Sequence, residues 1–204
     1  MIYAVFLANI NYLNLNEKPK KRICMRLFPK VIFFLVALML FSAVSDNYAQ
    51  NFLPWPIDKV IGENAPDFIL KDISGKDVTL SSFKGKPVVL NFWATWCPYC
   101  RQERPYLKSL YEEYKDKDLV IIAVSLDRSS KIVKRFMEQN PAPYMVLTDT
   151  EGMTAALYNI MGYPTTYLIN RNGKINQKLV GPVEWTDRNM KDIIDKLINQ
   201  KIQQ

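Results

Sequence analysis

The chain has 204 residues, 49% hydrophobic and 23% charged, with a formal net charge of +7 and no histidine. The missing imidazole excludes Ser-His-Asp and Cys-His catalysis, His-ligated metals, and haem held by an axial His of this chain. The charge excludes less than it suggests. Residues 1–49 hold six basic and two acidic side chains, and the other 21 basic and 18 acidic residues form a balanced, solvated surface rather than a nucleic-acid footprint.

Residues 1–49 read as a targeting segment. An uncharged apolar run, residues 31–45, lies between Lys30 and Asp46. As a helix it spans roughly 22 Å, short of the roughly 30 Å of a bilayer core. That length suits the apolar region of a signal peptide, the alternative being an uncleaved anchor with the domain outside the cytoplasm. The signal or anchor occupies residues 25–49 with its charged start at Met25, and residues 1–24 would be an upstream extension. Cleavage fits after Ser45 or Ala49. No cysteine follows the apolar run, so a lipid anchor is not expected. Once the segment is removed, only the cysteines of a Cys-x-x-Cys pair remain, in an oxidising compartment.

Residues 50–60 read as a linker containing proline and aromatics, and residues 61–204 as one domain, large enough to bury a core without staples. Phe68–Lys71 and Val78–Leu80 flank Ser74-Gly75 and predict a small hairpin. Pro87–Trp93 is nearly all apolar, as expected of a strand covered on both faces. A helix follows from Pro98, a residue favoured at a first helical position. Leu107, Leu110, Tyr111 and Tyr114 mark its inner face, and Pro105 within the pattern predicts a kink.

Leu119–Val124 is the next buried strand. A helix through Gln139 starts at Ser129 or Ser130, with Ile132, Val133, Phe136 and Met137 inward. Tyr144–Thr148 is a strand, and Met153–Asn159 a short helix. Thr165–Ile169 and Lys174–Gly181 form a hairpin about Asn172-Gly173. A last helix starts at Asp187 behind a Thr186 cap, with Met190, Ile193, Ile194, Leu197 and Ile198 as its apolar stripe. The order β-β-β-α-β-α-β-α-β-β-α predicts an α/β fold: a central mixed β-sheet flanked by helices on both faces, with an N-terminal β-hairpin.

The chemistry concentrates in Trp93-Ala94-Thr95-Trp96-Cys97-Pro98-Tyr99-Cys100. A cysteine where a buried strand gives way to a helix meets unpaired N–H groups and a partial positive charge, which favour thiolate over thiol. Cys97 is the expected nucleophile. Cys100, one turn later, can resolve a mixed disulfide and close Cys97–Cys100. A zinc site would need about four N or S ligands, and a disulfide over so short a loop removes little unfolded-state entropy. No cofactor and no metal are expected.

The string Asn91–Cys100 resembles the thioredoxin superfamily, most closely the exported branch typified by TlpA and ResA. Gly62-Glu63-Asn64-Ala65-Pro66-Asp67-Phe68 resembles that branch's leading motif, which peroxiredoxins share. Gly162-Tyr163-Pro164-Thr165-Thr166-Tyr167-Leu168-Ile169 resembles the loop that carries the family's cis-proline. The resemblance covers about residues 60–200 and implies a thioredoxin-like fold, a cis peptide at Tyr163–Pro164, and substrate pairing along the backbone before that proline. Trp96, Pro98, Tyr99, Tyr163 and Pro164 are the implied substrate-binding residues. Thioredoxin itself has an Asp six residues before its first cysteine; here, as in the ResA branch, that position is Asn91. The branch instead carries an acid three residues after the second cysteine, here Glu103, which could accept and return the Cys100 proton. The competing reading of Glu103 is a solvated helix residue in Arg-Gln-Glu-Arg.

The resemblance implies a reductase of exported protein disulfides, for example in cytochrome c maturation. It would act on protein disulfide or dithiol substrates and draw electrons from a membrane thiol-relay donor, as a periplasmic or otherwise extracytoplasmic monomer. Pro98-Tyr99 departs from the branch and is typical of the more oxidising glutaredoxins, which leaves a disulfide oxidase or isomerase as an alternative. A thiol peroxidase would need Pro and Thr where Leu90 and Ala94 stand. A Cu(I) carrier could use the two thiolates, but related carriers add a His.

Overall fold

A computed structural model describes residues 60–200. The targeting segment, nearly all of the linker and residues 201–204 lie outside the described residues, so the structure does not bear on the expected signal peptide. Among the described residues no helix is long and apolar enough to cross a membrane.

Strand β3 (Val88–Trp93) is buried along its whole length because it lies inside a seven-stranded sheet. In sequence around it are β1 (Ile69–Asp72), β2 (Asp77–Thr79), β4 (Val120–Ser125), β5 (Met145–Thr148), β6 (Thr165–Ile169) and β7 (Ile175–Val180), and the sheet order is β2-β1-β5-β4-β3-β6-β7. β3 pairs parallel with β4, and β4 with β5; the remaining pairings are antiparallel, so the sheet is mixed. The helices are α1 (Pro98–Tyr114), α2 (Ser130–Gln139), α3 (Met153–Leu157) and α4 (Arg188–Asn199), with a 3-10 turn at Leu80–Phe83.

Alternation along β3 divides the core in two. Val89 and Trp93 face a layer made with Leu107, Leu110 and Tyr114 of α1, Val133 and Met137 of α2, and Ile194 and Leu197 of α4. Val88, Leu90 and Phe92 face the opposite layer with Phe68, Leu80, Tyr158 and Tyr167. Asn91 breaks the apolar sequence on the α1 side, and the site explains why.

The N-terminal hairpin forms as expected. Asp72 Oδ1 accepts from the backbone N–H of Ser74 and Lys76 and from the Ser74 hydroxyl, closing the turn. In the β6–β7 hairpin Gly173 takes φ +78°, a left-handed conformation open to glycine, while Asn170 Oδ1 accepts from Asn172 and Lys174 N–H.

α1 continues as one helix across Pro105, so the proline removes one donor, that facing the Arg101 carbonyl, without ending the element. Two other details differ from the sequence reading. The cap of α4 is Asp187, whose carboxylate accepts from Asn189 N–H at 2.9 Å, not Thr186. Ile132 is exposed, because α2 turns only its Val133 and Met137 edge fully inward.

Ile122, at the centre of β4, is wholly buried among Phe92, Val124 and Leu147. Replacing Ile122 by Ala should cost about 2–5 kcal/mol, read as a lower denaturant midpoint with the cysteines held in one redox state.

Candidate active site

β3 ends at Trp93, and three residues later the chain enters α1 with Cys97 as the capping residue. The turn is held from β4. The Asp127 carboxylate accepts from Thr95 N–H at 2.8 Å, from Thr95 Oγ1 at 2.7 Å and from Ser125 Oγ at 2.7 Å. Arg101 Nε donates to the Thr95 carbonyl at 2.8 Å, tying the first turn of α1 back onto the same loop. Asp127 was not singled out in the sequence; its only signal is an acidic residue two positions beyond a run of strand residues.

Cys97 and Cys100 are disulfide-bonded, with Cα atoms 5.3 Å apart. Cys97 is extended at φ −78°, ψ 117°, and its Sγ accepts the Cys100 N–H at 3.1 Å. That N–H, with the partial positive end of α1 behind it, is placed to stabilise a thiolate once the pair is reduced. Both cysteines are buried, while Trp96 and Tyr99 are each 60% exposed and Pro98 is exposed beside them. The sulfurs therefore lie beneath an apolar rim.

The Tyr163–Pro164 peptide is cis. It leads into β6, whose Thr165 pairs with Phe92 near the end of β3, so the chain before β6 runs beside the active-site turn. The Tyr163 ring meets Trp96 edge to face with centroids 5.6 Å apart. Pro164 is buried and Tyr163 partly so. Of the five residues expected to bind substrate, Trp96 and Tyr163 are thus in contact, and Pro98 and Tyr99 are exposed close to Trp96 in the chain.

Glu103 is 1% exposed, which overturns its reading as a solvated helix residue. One turn after Cys100, it lies on the same inward face of α1. Oε2 accepts from Asn91 Nδ2 at 3.1 Å; Oε1 accepts from Trp185 Nε1 at 3.0 Å and from Val183 N–H at 3.3 Å. Asn91 also donates to Thr166 Oγ1 at 2.8 Å, joining β3, α1 and β6. Burial pushes the Glu103 carboxyl up to about 7, against the three donors, which favour the charged form and pull it down. A carboxyl poised there can hold or release a proton near neutral pH. Sequence reasoning found Glu103 and Asn91 but not Trp185, whose distance from the cysteines in the chain gives no pattern to read.

A mixed sheet with helices on both faces and a Cys-x-x-Cys pair heading the helix after its central strand define a thioredoxin-fold dithiol–disulfide protein. The chain belongs to the AhpC/TSA family, whose model matches residues 61–178. It is 40% identical over 172 residues to the thiol-disulfide oxidoreductase ResA of Oceanobacillus iheyensis, covering 81% of this chain and 86% of that protein. It is 36% identical over 163 residues to the protein of the same name from Bacillus cereus, covering 80% and 93%. Among solved structures it resembles a Chlorobium tepidum chain assigned as a thiol:disulfide interchange protein DsbE, with TM-score 0.64 and 37% identity over 68% of this chain and 98% of that one. The protein is a thiol–disulfide oxidoreductase.

The raised Glu103 value has a thermodynamic consequence. An unfolded glutamate titrates near 4.5, so between there and about 7 the folded protein holds more protons and its stability falls as pH rises. The fall should be on the order of 3 kcal/mol. Glu103→Gln should remove most of it, measured as denaturant stability of the oxidised protein at pH 5 and pH 8.

Proposed function

We propose that the protein reduces disulfides of exported proteins, with Cys97 as nucleophile, Cys100 as resolving thiol and Glu103 as the group that takes the Cys100 proton. The observation that carries this reading is the buried Glu103 carboxyl, one turn from Cys100 on the inward face of α1 and held by three N–H donors. Cys97 thiolate attacks one sulfur of the substrate disulfide; the other leaves as thiolate and takes a proton. Cys100 gives its proton to Glu103 and attacks Cys97 Sγ, releasing the second substrate sulfur as a thiolate, which takes a proton from solvent, and leaving the Cys97–Cys100 disulfide. A dithiol donor then reduces that disulfide by the reverse sequence, and Glu103 returns the proton.

Trp96, Pro98, Tyr99, Tyr163 and Pro164 form the docking rim on this reading. Aromatic area around a recessed disulfide suits an extended apolar segment of a protein substrate better than a small polar thiol. The backbone beside Pro164 pairs with that segment as a short added strand.

The setting follows from the targeting segment and the kinship with ResA. The domain works outside the cytoplasm, delivered by a signal peptide or held by an uncleaved anchor. It functions as a monomer, fed by a membrane thiol-relay partner, with apocytochrome c among the substrates that require reduced cysteines.

Equilibration of the Cys97–Cys100 couple with thiol buffers tests the direction of electron flow. A reduction potential near or below about −250 mV supports the reductase; a value near that of the strong oxidant DsbA, about −120 mV, would reverse it. Cys97→Ser should abolish turnover of a protein disulfide. Cys100→Ser should accumulate a mixed disulfide at Cys97, visible as an adduct by mass spectrometry under non-reducing conditions. Absence of any adduct would remove Cys97 from the nucleophile's role.

A further inference from the structure

Residues 181–187 connect β7 to α4 and pass across the inner face of α1. This strap delivers two donors to one oxygen of Glu103: the backbone N–H of Val183 and the indole N–H of Trp185. Trp185 is 1% exposed, its ring packed in the α1-side core. A buried indole in this fold does not pair automatically, since Trp93 Nε1 is equally enclosed and has no partner among the described residues. The Trp185 bond is therefore a placement specific to Glu103.

We propose that Trp185 is a positioning residue for the proton-transfer step, its indole N–H holding Oε1 of Glu103 and keeping the carboxylate form available beneath α1. The inference rests on the proton-accepting role of Glu103. All three partners of the carboxyl are N–H donors and none is an acceptor, so the pocket is shaped for the charged state that burial opposes. The ionisable neighbours are few. Cys97, Cys100 and Arg104 share α1, and Tyr144 precedes β5 and feels the Glu103 charge. Glu184 and Asp187 on the strap itself are exposed.

The direction of the expected change separates this role from simple packing. Trp185→Phe retains an aromatic ring and loses the N–H. Loss of the donor raises the proton affinity of Glu103, whereas a loosened pocket that admits water favours the carboxylate and lowers it. The experiment is carbon-13 NMR of glutamate-labelled protein between pH 5 and 9, the Glu103 carboxyl being identified by its disappearance in Glu103→Gln. In parallel, the reduced protein's rate of exchange with a small aryl disulfide is followed over the same range.

In Trp185→Phe the Glu103 midpoint should rise by about one pH unit, a tenfold gain in proton affinity. The rate profile should move with it, and the double variant should match Glu103→Gln alone. An unchanged or lowered midpoint overturns the inference. If Glu103→Gln leaves the rate profile unaltered, the proton-accepting role itself fails, whatever the midpoint does. In unaltered protein labelled with nitrogen-15 at tryptophan, the Trp185 indole signal should titrate with the Glu103 midpoint. A signal indifferent to pH overturns the proposal without requiring any variant to fold.

Discussion

The site depends on one unfavourable act: placing the Glu103 carboxyl where water does not reach. A carboxylate so buried costs several kcal/mol unless donors replace its hydration, and two parts of the chain converge on α1 to supply them. Asn91 comes from the central strand, Val183 and Trp185 from the strap before the last helix, and α1 must turn its 103 face inward. This requirement explains the polar interruption in Val-Val-Leu-Asn-Phe-Trp: an apolar side chain at 91 would leave Oε2 without its donor.

A second buried carboxylate does different work nearby. Asp127 is surrounded by the Thr95 amide, the Thr95 hydroxyl and the Ser125 hydroxyl, all within 2.8 Å. These contacts fix the turn between β3 and α1 and so set where Cys97 begins the helix. Asp127 serves the scaffold, inside a cage of two hydroxyls and one amide, whereas the donors around Glu103 do not fully offset the burial of its carboxyl.

Legibility in the sequence follows how local each feature is. β3 and β4 were readable because strands inside a sheet are apolar on both faces, and α1 because Leu107, Leu110 and Tyr114 repeat at helical spacing. The cysteine pair was readable because its chemistry sits within four residues. Glu103 could be pointed to but not decided, since Arg-Gln-Glu-Arg has a solvated composition and only the third dimension shows that α1 buries that edge. Trp185 and Asp127 were missed because each reaches the site across 82 and 32 residues of chain. Ile132 misled in the other direction: its spacing fits the inner face of α2, but the helix contributes only a narrow edge to the core.

Cys97 and Cys100 are the only cysteines between residues 60 and 200. A domain that folds among oxidants with many thiols must find one pairing among several, and wrong pairings trap it. Here the described domain has one intramolecular pairing open to it, across the helix start where its chemistry takes place. Closing that bond early links residues already adjacent, so it neither misdirects the chain nor requires correction by an isomerase. The domain can be oxidised before, during or after folding and arrive at the same covalent product.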